Sequence, residues 1–194
     1  MSTSVDKKAR RVPAAETRER ILAAARTRFC QAGFDQLGVR ELAAVAKVDP
    51  AIVIRLFGSK EDLFAAVADG AFSLEAPFDG PLEGLGLRIA QFLLGKVDEA
   101  SPDDFDGFRF LLRSAASPIA GPILSRALHA GFIGPLAKHL GGRDAPARAA
   151  LLTACVLGFV TLRVALASSE LEQAPQGRLA ARFGAALQAC LEVR

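Results

Sequence analysis

The 194-residue chain has no tryptophan, no tyrosine and one methionine, and it holds only three cysteines and two histidines. Each scarcity excludes something. Cys30, Cys155 and Cys190 are an odd number, lie far apart and form no Cys-x-x-Cys pair, so neither a disulfide framework nor a zinc site is expected and the thiols read as reduced. His129 and His139 stand alone, without a companion serine, cysteine or metal-ligand spacing, so no metal site and no cofactor is expected. Gly84-x-Gly86 lacks the third glycine of a dinucleotide loop because Ile89 stands there, and neither a GxSxG elbow nor a P-loop occurs. With no paired acid, base or nucleophile, an enzyme is not expected. The longest apolar run, residues 149–162, is too short for a bilayer, and the basic start has no apolar stretch of the kind a secretory signal needs, so a cytoplasmic protein is expected.

What the chain does have is apolar residues, 51% of the total, which is ample for a buried core. Its net charge of +3 is unevenly spread. Residues 1–60 carry 12 Lys/Arg against 6 Asp/Glu, whereas residues 61–194 carry 12 against 15, so the first third suits a polyanion and the rest does not. Apolar residues recur at three and four rather than at two, and the turns carry Gly or Pro; the fold class is therefore all-α. Residues 1–13 read as a flexible basic arm with Lys7, Lys8, Arg10 and Arg11, either a solvated tail or a minor-groove arm. Residues 14–58 read as a first helical domain and residues 59–194 as a second, with helices over about 14–32, 39–46, 50–56, 59–74, 82–99, 102–115, 118–140 (interrupted around 131–135), 145–168 and 175–192.

The most informative stretch is VDPAIVIRLFGSKEDLF, residues 48–64. Asp49 and Pro50 have the chemistry of an N-cap and first helical residue, yet Gly58 stops the helix after about two turns, and Ser59 with Asp62 caps the next. Helix 39–46, the turn at Lys47-Val48 and helix 50–56 have the lengths of a helix-turn-helix, whose second helix enters the DNA major groove. The same spacing also fits an ordinary helical hairpin.

Residues 18–67 resemble the DNA-binding domain of the TetR family of bacterial repressors, in the FxxxGF element (Phe29 to Phe34), in VRELA (Val39 to Ala43) and in the F-x-S-K-E-x-L-F closure (Phe57 to Phe64). FRFLLRSAAS (residues 108–117) and RAALLTACVLGFVTLR (residues 148–163) resemble the C-terminal part of one branch of that family. The resemblance implies a three-helix DNA-binding head on a helical ligand-binding and dimerisation domain. The chain departs from the pattern at Ile54, where the family usually has an aromatic, at Leu56, commonly His or Tyr, and at Gly38, often Ser or Thr.

The residues expected at the DNA follow. Ala51, Ile52 and Ile54 are placed to touch thymine methyls, with packing of Ile54 on the fourth helix as the alternative, and Arg55 to reach a guanine or a phosphate. Asp49 and Pro50 start that helix, and Lys47 lies in the turn. Lys60 and Arg40 are cations in the first turns of helices, opposed by the macrodipole unless an anion is near. For Lys60, Glu61 and Asp62 are one neutralising answer; the resemblance points to a DNA phosphate. Val53 and Phe57 read as the buried face.

The second domain is rich in Phe, at Phe92, Phe105, Phe108, Phe110, Phe132 and Phe159. Most read as core; the resemblance implies that Phe92, Phe105, Phe108, Phe132 and Phe159 line an apolar pocket for an unknown small-molecule effector. Arg109, Arg113 and Arg163 stand in apolar stretches, where either a ligand carboxylate or a structural ion pair accounts for them. Asp103, Asp104 and Asp106 read as complementing a helix dipole rather than as a metal site. The last two helices are apolar on more surface than one chain covers, with Ala154 and Gly158 permitting close approach, and the resemblance implies a homodimer through them. The resulting expectation is a dimeric repressor of a palindromic operator, released by an effector; the alternative is a ligand-binding protein of the same fold with weakened DNA binding.

Overall fold

The computed structural model describes residues 13–72, 78, 80–99 and 105–192, and among these residues there is no β-strand. The helices are α1 (Ala14–Ala32), α2 (Val39–Val45), α3 (Pro50–Phe57), α4 (Lys60–Ala68), α5 (Leu85–Glu99), α6 (Gly107–Ser114), α7 (Ala120–Leu128), α8 (Gly134–Leu140), α9 (Ala145–Val160), α10 (Ser169–Glu172) and α11 (Gln176–Leu191). The caps follow the local chemistry: Asp49 Oδ1 accepts from the Ala51 N–H at 2.8 Å, and Ser59 Oγ accepts from the Asp62 N–H at 3.0 Å.

The boundaries differ from expectation in several places, α5 for one starting at Leu85 rather than near 82. α4 ends at Ala68, and its expected end near Leu74 lies outside the described residues, as do residues 1–12 of the basic arm, Asp103 and Asp104. α6 starts at Gly107, where the Asp106 carboxylate accepts from the Phe108 N–H at 2.8 Å. The interruption expected at 131–135 is no break: a π-helical turn, His129–Ile133, carries α7 into α8. A second π turn, Thr161–Ala165, extends α9, and α10 follows it.

Two hydrophobic cores hold the molecule. The first gathers Ile21, Ala25, Phe29, Phe34, Leu42, Val53, Leu63 and Phe64, and it also takes Phe110 from α6 and Ala120 and Leu124 from α7. It therefore runs across the boundary expected after Gly58. Its centre is an aromatic cluster, with Phe29 edge-on to Phe64 at 4.9 Å and Phe64 tilted on Phe110 at 4.7 Å; such pairs contribute about 0.5–1.5 kcal/mol each beyond area burial. The second core packs α5, α8, α9 and α11. There α5 and α11 cross at two glycines, because a Cβ on Gly184 would lie 2.7 Å from the Leu87 Cα. Gln188 fastens the crossing, accepting from the Gly86 N–H at 3.0 Å and donating to the Leu82 carbonyl at 3.1 Å.

The apolar run near residue 150 lies within a continuous helical segment, Ala145–Ala165, that ends slightly short of the expected 168. Ala145–Ala165, 21 residues whose most apolar 18-residue stretch has mean hydropathy 1.7, is long and apolar enough to cross a membrane, but one face packs into the second core through Leu152, Val156 and Val160. Leu151, Leu162 and Leu166 point outward, 55%, 49% and 65% exposed.

Candidate nucleic-acid interface

The α2-turn-α3 unit is held from inside. Leu42 and Val53 are fully buried, and Ile52, Leu56 and Phe57 pack half-buried against the same core. Arg28 on α1 bonds Glu41 of α2 at 3.0 Å, and the Arg18 guanidinium lies 4.9 Å from the Phe57 ring centre. α3 is thus fixed along one face, and its other face is free to meet a partner.

That face carries Ala51, Ile54 and Arg55, all exposed, flanked by exposed Arg40 and Lys47; Asp49 is also exposed, and Pro50 is half-buried. Ile54 is 44% exposed, so of its two expected environments the structure shows the open one. Lys47 has φ +53°, the left-handed region that L side chains other than Asn and Asp seldom adopt. Val45 at the end of α2 is 49% exposed beside the turn, an apolar contribution the sequence reading overlooked. At the start of α2, Gly38 supplies no side-chain cap, and a Cβ added there would meet nothing within 4 Å.

Lys60 is differently placed from the rest. Its Nζ donates to the Phe34 carbonyl at 3.2 Å and the Leu37 carbonyl at 3.1 Å, and it lies 3.9 Å from the Phe34 ring centre. The macrodipole penalty that suggested an external anion is met within the protein, by two carbonyl dipoles and a π face.

The loop that receives Lys60 is also gripped from the far side. The Phe34 N–H donates to Ser114 Oγ at 3.0 Å, and Ser117 Oγ donates to Asp35 Oδ1 at 2.9 Å. Gly33 makes the close approach possible, with φ +77° and a position where a Cβ would lie 2.5 Å from the Arg113 carbonyl oxygen. Its ψ of 178° is extended, and the Gly33 N–H closes α1 by reaching the Phe29 carbonyl at 3.0 Å. Residues 33–37 therefore bridge the N-terminus of α4 to the C-terminus of α6. Ser114 and Ser117 were not singled out from the sequence, although both fall in the FRFLLRSAAS stretch that carries the resemblance.

The turn that follows α4 is seated in glycine notches. The Ala71 carbonyl lies where a Cβ on Gly107 would come within 2.6 Å, and the Phe72 carbonyl occupies the space that a Cβ on Gly131, in the first π turn, would need.

The residues expected to line an effector pocket are spread over both cores. Phe105 belongs to the first, 5.6 Å from Phe110. Phe108, Phe132 and Phe159 belong to the second, Phe132 edge-on to Phe78 at 5.1 Å and Phe159 stacked on Phe183 at 4.1 Å. Phe92 is half-buried on α5. Arg109 lies 3.6 Å from the Asp106 carboxylate, Arg163 donates to the Leu171 carbonyl at 3.4 Å, and Arg113 is exposed. His129 and His139 are exposed, and among the described residues no three His, Cys, Asp or Glu side chains lie together as a metal set would.

A short helix held by its inner face on a three-helix head, with an open face of small, apolar and cationic residues, defines a helix-turn-helix DNA-binding regulator. Residues 21–67 match the bacterial regulatory proteins of the tetR family, and residues 83–191 match the tetracyclin repressor-like C-terminal domain. The chain belongs to the TetR family. A TetR-family regulator from Streptomyces coelicolor is 30% identical, with 94% of this chain and 99% of that one covered and a TM-score of 0.62. The fold is shared with the multidrug binding protein EbrR solved with ethidium, at 21% identity, 91% and 99% coverage and a TM-score of 0.61. It is shared also with NalD of Pseudomonas aeruginosa, the secondary repressor of the MexAB-OprM multidrug efflux pump, at 16% identity, 92% and 97% coverage and a TM-score of 0.62. No curated protein sequence matches the chain.

Proposed function

We propose that the chain is a cytoplasmic, dimeric transcriptional repressor that binds a palindromic operator through α3 and is released by an apolar small molecule held in its C-terminal helices. The observation that carries this reading is the division of α3, with Val53 buried and Phe57 half-buried while Ala51, Ile54 and Arg55 face outward between Arg40 and Lys47. In this reading Ala51, Ile52 and Ile54 touch base edges with Asp49 and Pro50 at the leading end, Arg55 reads a guanine or a phosphate, and Arg40 and Lys47 hold phosphates. Lys60 has spent two of its three hydrogens on carbonyls and has one for a phosphate.

Outward Leu151 on α9 and Leu162 and Leu166 just beyond its end, with exposed Ala154 and Gly158, support a dimer face shared with α11. Two-fold pairing sets two α3 helices against two half-sites. The effector class follows from the Phe-rich C-terminal helices and from the likeness to a multidrug binding protein that takes ethidium. Release follows if effector binding moves α6, because α6 is bonded to the 33–37 loop and that loop to α4.

One observation favours a second reading, that of a ligand-binding protein with weakened DNA affinity: Gly38 and Ile54 offer no hydrogen-bond donor beyond the backbone at the two edges of the head. Selection of bound fragments from a random duplex pool separates the two. Enrichment of a palindrome is the expected result; no enrichment at low salt rejects the repressor reading.

A further inference from the structure

Two of the three cysteines meet. Cys155 on α9 and Cys190 on α11, 35 positions apart, bring their Sγ atoms to 3.9 Å. Cys190 is buried and its thiol also faces the Ala186 carbonyl at 3.4 Å, whereas Cys155 is half-buried. Cys30 is in the other core, its thiol 3.4 Å from the Asp106 carbonyl. The pairing is thus specific to the contact between α9 and α11.

We propose that Cys155 and Cys190 are an oxidisable dithiol, which a hydroperoxide converts into an intrachain disulfide tying α9 to α11. Cys155, the more accessible, attacks the distal peroxide oxygen; the O–O bond breaks, the alcohol leaves with a proton, and Cys155 becomes a sulfenic acid. The Cys190 sulfur then attacks the sulfenic sulfur, the S–O bond breaks, and water leaves with the Cys190 proton. In sum two thiols lose two protons and two electrons, and the hydroperoxide is reduced to an alcohol and water. Burial first, and the neighbouring Cys155 second, push the Cys190 thiol above its ordinary value, which disfavours it as the first attacker; its sulfur, 3.9 Å from Cys155 Sγ, is the one within reach of the sulfenic acid. Going from 3.9 Å to the ~2.05 Å of an S–S bond asks each sulfur to move roughly 1 Å, within reach of side-chain rotation.

This inference stands on the thiol geometry and not on the reading of DNA binding. Under the dimer proposed above, the bond would restrain the two helices that face the partner copy.

The test is peptide mapping of the full chain after hydrogen peroxide and alkylation, without reduction. The expected product is tryptic peptide 149–163 linked to 183–194 within one chain, with Cys30 still alkylated. On the reduced protein, phenylarsine oxide, which closes on neighbouring thiols with loss of water, should form a one-to-one adduct that Cys30→Ser keeps and both Cys155→Ser and Cys190→Ser abolish. The arsenical arm on the wild-type chain needs no variant to fold. Sulfinic acid at Cys155 beside a free Cys190, links only between chains, or no adduct on the folded wild type overturns the proposal.

Discussion

The Lys60 ammonium lies 3.9 Å from the centre of the Phe34 ring and 3.2 Å from the Phe34 carbonyl oxygen, while the Phe34 N–H is taken by Ser114 Oγ at 3.0 Å. One residue is therefore held by its N–H from α6 and by its carbonyl and ring from α4. Any shift of α6 relative to α4 must stretch or break one of these bonds, which makes residue 34 a mechanical link between the C-terminal helices and the DNA-binding head. Lys60→Met removes two charge-assisted hydrogen bonds and a cation–π contact at a half-buried site. It should destabilise the protein by roughly 2–3 kcal/mol, or about 4–12 °C in melting temperature. An unchanged melting temperature would show that the ammonium is solvated instead.

Ser114→Ala leaves the buried Phe34 N–H without its acceptor, at a cost of about 1–3 kcal/mol. Since Ser114 and Lys60 act on the same residue from opposite sides, the double variant should depart from additivity by at least about 0.5 kcal/mol. Denaturant unfolding of the four proteins in the cycle measures this, and strict additivity would break the proposed link.

Lys47→Gly should split stability from affinity. Glycine accepts a φ of +53° without a Cβ penalty, so stability should hold or rise by up to about 1 kcal/mol. If Lys47 holds a phosphate, operator and non-operator DNA should both bind more weakly, with the salt slope lower by about 0.9. Equal salt slopes for the two proteins would remove Lys47 from the interface.

Ile54→Tyr meets no packed neighbour shell, because the residue is 44% exposed. The melting temperature should therefore not fall. A phosphate hydrogen bond from the new hydroxyl, about 0.5–1.5 kcal/mol, should tighten operator binding from a few-fold to roughly tenfold. Weaker binding at unchanged stability would mean that the isoleucine itself touches the bases.

Gly38→Ser adds the side-chain cap that α2 lacks at a position where a Cβ finds open space. Cap and reduced chain freedom together should stabilise by about 0.5–1 kcal/mol. A lower melting temperature would show that the glycine is needed for its conformation after all.

The head was legible because its signals are local. Asp49 and Ser59 cap helices wherever they stand before such runs, and the inward set Leu42, Ala46 and Val53 follows from helical period alone. The C-terminal helices were legible in kind but not in extent. The π turns at 129–133 and 161–165 shift the register by a residue, which periodicity does not register, and α6 begins later because Asp106 rather than an earlier acid caps it.

The sequence by itself determined the helical class, the short capped α3 and the cationic bias of the first third, since caps, period and charge act over a few residues. Only the tertiary structure decided where long-range partners fall. On one helix alone the macrodipole left the Lys60 ammonium without a partner; in the fold, 23 and 26 positions away, the carbonyls of Leu37 and Phe34 accept from it. The same holds for Ser114 on Phe34, 80 positions apart, and for Cys155 beside Cys190. Such pairings depend on how helices cross, and helix crossings are set by glycine notches and ring contacts that no local spacing records.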